Sequence, residues 1–282
     1  MSHIRISRYI YIDSTVILIG FLGFCTGNLS RLLILYGAVL LHELAHLVAC
    51  IFAGEKPEEL RFMPYGVNLR IGYVENPVHA MIIAFAGPAA SLAISWISGI
   101  FGGENMWFFR ISNIAVFTLN VFPALPLDGG VFVKNLLTYK LGYVRAYRIS
   151  LELTRLTSAV FAVFGTIFFI LSKYNISLLV ISGFLMYNLN RERKQLIFLK
   201  QMIYTKSFDY SSKSVKIRHR AVKSGIPANS LTDYFGYNFI CHFFVYDKDM
   251  NLLGTLEQGE IVDSIIAYGS DVTVGDLIRR NK

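Results

Sequence analysis

Charge is scarce in this chain. Lys, Arg, Asp and Glu make up 16% of its 282 residues, against roughly 25% in an average soluble domain. Hydrophobic residues reach 54% and the mean hydropathy is +0.48. That imbalance excludes an ordinary soluble enzyme and points to an integral membrane protein. Cysteine is also rare. Cys25, Cys50 and Cys241 form no C-x-x-C pair, and two of them lie in apolar stretches, which excludes a disulfide framework and a zinc ribbon. The net charge is +8, but no soluble segment carries a basic stripe with interleaved aromatics. Direct nucleic-acid binding is therefore excluded, and the basic excess is assigned to cytoplasmic loops. No small-x-small cleavage site follows the apolar run behind Arg5 and Arg8, so that run reads as an uncleaved first span and not a signal peptide. There is no internal repeat or low-complexity tract.

What is present is a series of apolar runs confined to the first 200 or so residues. Six spans are expected, at approximately 10–26, 32–53, 78–101, 111–127, 156–171 and 176–189, several of them short for a hydrocarbon core of about 30 Å. Lys and Arg set their direction. Arg5 and Arg8 precede the first span. Lys56, Arg61 and Arg70 lie between the second and third. Lys134, Lys140, Arg145, Arg148 and Arg155 lie between the fourth and fifth. The alternate loops hold only Arg31, Arg110 and Lys173. The positive-inside rule then puts both termini of a multi-pass protein in the cytoplasm. The cluster Asn190-Arg191-Glu192-Arg193-Lys194 ends the last span and leads into a helical linker to about Tyr204. The expected organisation is a membrane domain over 1–200, a linker over 201–216 with a polar, Ser-rich joint, and a soluble domain of mixed strands and helices over 217–282.

The second span carries His42-Glu43-Leu44-Ala45-His46. Ionisable residues are costly at membrane depth and are functional by default. His42 and His46, at i and i+4, share one helix face and can bind one metal ion. Glu43 follows the first ligand directly and is placed to act as general base. The span enters from outside, so the site lies in its cytoplasmic half. Between spans two and three, alternating apolar residues around Pro64-Tyr65-Gly66 predict a hairpin over 58–73. Two readings are open for it: a surface hairpin, or an edge strand that pairs with an extended substrate beside the metal.

Two histidines leave a catalytic zinc one protein ligand short. The candidate third is Asp128, in Asn120-Val121-Phe122-Pro123-Ala124-Leu125-Pro126-Leu127-Asp128-Gly129-Gly130. Prolines break the fourth span there, and freed backbone at membrane depth is tolerated only where it is buried in protein or lines a cavity. Taken alone, Asp128-Gly129 is an ordinary turn; beside H-E-x-x-H it reads as a ligand. Asn120 has two open roles, donating to a tetrahedral oxyanion or substrate backbone, or satisfying a freed carbonyl. His3, His219 and His242 read as surface residues and His79 as interfacial. Gly87-Pro88-Ala89-Ala90-Ser91 reads as a close-packing surface for a neighbouring helix.

His42-Glu43-x-x-His46 in a membrane helix, followed by Asn120-x-x-Pro123-x-x-Pro126-Leu127-Asp128-Gly129, resembles the site-two protease family of intramembrane metalloproteases. The resemblance implies one zinc ion held by His42, His46 and Asp128, with Glu43 as catalytic base. Span three is similar to the family's Ala-Gly-Pro segment. Ser91 departs from it, since many members place an Asn there; the departure bears on a polar role at that position and not on the metal site. Six spans, no PDZ domain and a C-terminal soluble domain resemble the sporulation branch. That branch implies a membrane-associated pro-sigma-factor substrate, inhibitory membrane partners, and a site on the mother-cell side of the membrane around the forespore. Gly254-Thr255-Leu256 and Gly259-Glu260-Ile261-Val262-Asp263 resemble the end of a CBS domain, which implies ATP binding and homo-oligomer formation through paired domains. The expected fold class is thus an α-helical polytopic membrane protein with about six transmembrane helices and a small C-terminal α/β, CBS-like domain. Two readings from other classes compete: a membrane ion transporter using the same buried residues, and a non-proteolytic scaffold, which would be expected to carry a damaged motif.

Overall fold

The chain enters its first helix at an aspartate. In the computed structural model, which describes residues 3–5, 10–63, 66–72, 74–171, 175–205, 216–236, 239–269 and 272–280, strand β1 (His3–Arg5) and strand β2 (Ile10–Asp13) precede helix α1 (Ser14–Cys25). Asp13 Oδ1 accepts from the Thr15 N–H at 3.0 Å and the Thr15 hydroxyl at 2.7 Å, so this carboxylate caps the helix. The expected span over 10–26 is therefore divided, with its first turn's worth of residues in a strand. The chain separates into two compact units, 1–133 and 134–282.

The first unit holds a four-stranded sheet and three long helices. Helix α2 (Leu29–Phe52) carries the H-E-x-x-H motif. Strands β3 (Pro57–Met63) and β4 (Gly66–Ile71) form the expected antiparallel hairpin, with Pro64, Tyr65 and Tyr73 outside the described residues. Sheet order is β1-β2-β3-β4, with β2 parallel to β3 and β4 at an edge. The Tyr36 hydroxyl of α2 donates to the Met63 carbonyl of β3 at 2.7 Å. Helix α3 (Pro77–Ser98) starts with Asn76 as its cap and Pro77 in the first turn, where a missing N–H costs nothing. Helix α4 (Glu104–Val121) begins earlier than the expected fourth span and stops before Pro123, because the proline ring clashes with the preceding turn.

Helix α5 (Asp128–Leu141) crosses the division between the units. Helices α6 (Tyr143–Leu171) and α7 (Ser177–Thr205) pair in the second unit. Their contact uses small residues, as membrane helices do. The Ser158 hydroxyl donates to the Ser182 carbonyl at 3.0 Å, and the Ser182 hydroxyl returns a bond to the Ser158 carbonyl at 2.9 Å. The expected polar loop between spans four and five is helical, since α5 and the first half of α6 occupy it. The expected linker helix is the end of α7, which continues to Thr205, and 206–215 lie outside the described residues.

Strands β5 (Lys216–Lys223), β6 (Phe239–Tyr246) and β7 (Leu252–Glu257) form a three-stranded sheet in that order, with β5 parallel and β7 antiparallel to β6. A 3-10 turn (Ala228–Tyr234), helix α8 (Gln258–Tyr268) and helix α9 (Val274–Arg280) complete the C-terminal α/β domain. Strand alternation explains its core. Phe239, Cys241, Phe243 and Val245 point inward against Leu231, Phe235, Leu256, Ile261 and Leu277. Burial pushes the Cys241 thiol above its ordinary pKa, which makes it a core residue and not a reactive one.

Among the described residues, α2, α3 and α6 are long and apolar enough to cross a membrane, and α1 is a shorter apolar helix. Large apolar side chains stand exposed along these helices, including Phe52 at 88% and Trp96 at 82%. Such surface is stable only in lipid or under a partner. The protein is therefore a mainly helical membrane protein. One prediction concerns the domain core. Phe243→Ala should cost about 3–5 kcal/mol, seen as lost amide hydrogen-exchange protection along β6 in the intact chain. Unchanged protection would show that the ring is not part of a cooperative core.

Candidate metal centre

His42 and His46 lie one helical turn apart in the C-terminal half of α2, and their rings meet edge to face with centroids 4.8 Å apart. Both are buried. Asp128 comes from the first position of α5. Its Oδ2 lies 3.0 Å from His42 Nε2 and 3.1 Å from His46 Nε2, and the two Nε2 atoms are 3.2 Å apart. Three metal-ligating side chains from sequence positions 86 residues apart thus meet at one point.

The outer nitrogens set the roles of the inner ones. His46 Nδ1 faces the Ile83 carbonyl at 2.7 Å. A carbonyl only accepts, so Nδ1 carries the proton and Nε2 presents a lone pair. His42 Nδ1 pairs with the Ser91 hydroxyl at 2.9 Å, which can accept the Nδ1 proton in the same way. Two imidazole lone pairs and a carboxylate oxygen therefore converge on one buried spot, an arrangement that calls for a cation. Ligands at zinc distances on a tetrahedron stand about 3.3 Å apart, and the three separations here fall within a few tenths of that. The donor set fits zinc.

The break between α4 and α5 delivers Asp128. The Ala124 N–H donates to the Phe122 carbonyl and the Leu127 N–H to the Ala124 carbonyl, both at 2.8 Å, so the irregular backbone is satisfied internally, as burial demands. Gly129 and Gly130 let α5 start directly against this turn. A Cβ on Gly129 would stand 2.6 Å from the Phe122 carbonyl oxygen, and one on Gly130 2.5 Å from that of Ala124.

Glu43 lies beside the two histidines and contacts the sheet. Its Oε2 accepts the Leu69 N–H of β4 at 2.9 Å. That N–H points away from β3, so the free edge of the sheet faces the carboxylate. On another side, an apolar cleft of about 1130 Å³ runs between α3 and α4 and reaches Asp128, with Phe85, Pro88, Phe117, Asn120 and Phe132 among its lining residues. Asn120 is on the cleft wall and not among the converging ligands. Its amide donates to the Val116 carbonyl at 3.1 Å. His79 pairs with Glu55 at 3.0 Å, away from the centre.

Two small residues of α3 shape the centre. Gly87 gives α3 the expected close approach to a neighbouring helix, α2: a Cβ there would stand 2.5 Å from His46 Cε1 and 2.8 Å from His42 Cε1. Its missing side chain makes room for both imidazoles. Ser91 was given no part in the site, yet it is fully buried and orients His42. Their spacing on α3 was the available signal: Ile83, Gly87 and Ser91 recur every four residues and share one face.

A membrane protein with a buried His, His and Asp cage and an adjoining Glu has side chains that could hold a metal ion. Comparison narrows that reading. The chain is 25% identical over 151 residues to stage IV sporulation protein FB of Bacillus subtilis, covering 51% of this chain and 52% of that protein. It is 25% identical over 171 residues to a zinc metalloprotease of Methanocaldococcus jannaschii, covering 57% and 49%. Among solved structures it matches the site-2 protease of Methanocaldococcus jannaschii with a TM-score of 0.52 and 25% identity, over 68% of this chain and 95% of that one. No protein-family model matches the chain. The matches span about half the length of the curated relatives. In sequence and fold the chain is similar to site-2 proteases.

Two outcomes follow from the geometry. Ser91→Ala should weaken zinc binding about 10- to 100-fold, measured by chelator competition; an unchanged affinity would remove Ser91 from the site. Gly87→Val should abolish zinc uptake while leaving helix content intact, because the new side chain occupies the imidazole positions. Full zinc occupancy in that variant would contradict the geometry.

Proposed function

We propose that this protein is an intramembrane zinc metalloendopeptidase. The observation that carries the reading is the convergence of His42 Nε2, His46 Nε2 and Asp128 Oδ2 on one point beside Glu43, within a helix apolar enough to span a membrane. His42, His46 and Asp128 would hold the ion. Bound there, zinc supplies Lewis-acid polarisation of a carbonyl and acidification of water. Glu43 takes a proton from the attacking water and passes it to the leaving nitrogen as the peptide bond opens. One of its oxygens is held by Leu69, which fixes the carboxylate's direction.

A peptide must be extended before it can be cut. The free edge of β4 provides a template for an added strand next to Glu43, and the apolar cleft between α3 and α4 suits a lipid-derived segment. Asn120, on the cleft wall, is the candidate donor to substrate backbone or oxyanion. Its bond to Val116 would have to be exchanged for that role. Six spans with both termini and the metal site towards the cytoplasm complete the topology in this reading, with a membrane domain over 1–200 and a C-terminal domain over 217–282.

The similarity to stage IV sporulation protein FB supports a membrane-associated pro-sigma factor as substrate, with inhibitory membrane proteins as partners. The CBS-like reading of the C-terminal domain, with ATP binding and pairing between chains, rests on the Gly254–Leu256 and Gly259–Asp263 resemblance alone. Co-expression with a tagged pro-sigma factor tests the activity. The intact chain should shorten the substrate, and Glu43→Gln should slow that step by about 100-fold or more while retaining zinc. Unchanged cleavage by the glutamine variant would overturn the mechanism. Metal flux across vesicles with no cleavage would favour the transporter reading.

A further inference from the structure

A second set of metal-ligating side chains lies in the C-terminal domain. Registers of the three-stranded sheet pair His219 of β5 with His242 of β6, and His242 with Glu257 of β7. The three residues therefore form one row across the sheet, on the face opposite the buried Phe239, Cys241, Phe243 and Val245. The imidazole centroids of His219 and His242 are 5.9 Å apart, and His242 Nε2 is 3.7 Å from Glu257 Oε1. The row is open to solvent: the side chains of His242 and Glu257 are 29% and 66% exposed.

Three features separate this row from a chance pairing. Glu257 is the N-cap of α8, and its side chain accepts the backbone N–H of Glu260 while Glu260 returns the bond. This capping box fixes the carboxylate, so part of its ordering is complete before any ligand arrives. His242 is half-buried in mid-sheet and packs between its neighbours, so its ring also has restricted freedom. Finally, the same-face positions beside the row are Ile217, Ala221, Ile240, Phe244 and Thr255. None of them is cationic, so no charge at these positions repels a metal ion.

We propose that His219, His242 and Glu257 form a second divalent-metal site, one that takes zinc or a similar first-row ion. Two imidazoles and a carboxylate are a recurrent zinc donor set, with solvent filling the fourth position. Neighbouring strands are about 4.8 Å apart, so His219 and Glu257 must both lean towards His242 to share an ion seated there. The site lies wholly within the C-terminal domain and uses no residue of the His42, His46 and Asp128 centre.

Equilibrium dialysis of the purified full-length chain against zinc, followed by metal analysis, tests this. The intact chain should bind two ions. His219→Ala and His242→Ala should each bind one, His46→Ala should also bind one, and His46→Ala combined with His219→Ala none. Glu257→Gln keeps the capping acceptor and should weaken the second ion about tenfold. His219 is exposed on an edge strand, so its variant reports on binding even where His242→Ala disturbs the sheet. One ion in the intact chain, lost only with His46→Ala, would overturn the second site and leave the catalytic centre standing. Two ions retained in both His219→Ala and His242→Ala would overturn it as well. Two ions in His46→Ala would instead count against the catalytic centre.

Discussion

Everything in the first unit is arranged around the cost of burying two imidazoles and a carboxylate at membrane depth. His42, His46 and Asp128 bring their lone pairs together at 3.0–3.2 Å. Such a cluster is unfavourable unless a cation sits among them. The surrounding chain makes that arrangement attainable. Gly87 leaves room for the rings, Ile83 and Ser91 fix their orientation, and the proline-broken turn between α4 and α5 carries Asp128 to meet them. The helix break is thus part of the site and not a defect in a span.

The same constraint links catalysis to substrate form. An intact membrane helix hides its peptide bonds within its own hydrogen-bond ladder. Glu43 lies next to His42 in α2 and accepts the Leu69 N–H at the edge of the sheet. A strand added at that edge would bring an extended peptide close to the general base. In the proposed reaction the sheet, the break and the H-E-x-x-H helix would serve one purpose, exposing a single bond at one point.

How much of this could be read from sequence depends on distance along the chain. His42 and His46 were legible because a four-residue spacing fixes their face without any tertiary information. Asp128 was legible because its proline- and glycine-rich surroundings mark broken backbone in an otherwise apolar protein. The hairpin of β3 and β4 was legible from alternation. By contrast, β2 is a short strand whose pairing with β3 is set by contacts made after folding, so the first apolar run read as a single helix. Gly87 and Ser91 were legible as a close-packing surface but not as neighbours of the imidazoles, because a small residue on a helix gives the same sequence signal whether it admits a neighbouring helix or a ring on that helix. The bond from Leu69 to Glu43 joins residues 26 apart, and nothing local announces it. The amphipathic start of α6, rich in Arg, read as a loop because its charges masked its periodicity.

The most direct measurement is zinc K-edge X-ray absorption on the purified chain, with His219→Ala as background to simplify the spectrum. The account predicts zinc with two imidazole nitrogens and carboxylate or solvent oxygen at about 2.0–2.2 Å and no sulfur shell. A chain that holds no zinc, or zinc with sulfur at about 2.3 Å, would contradict it.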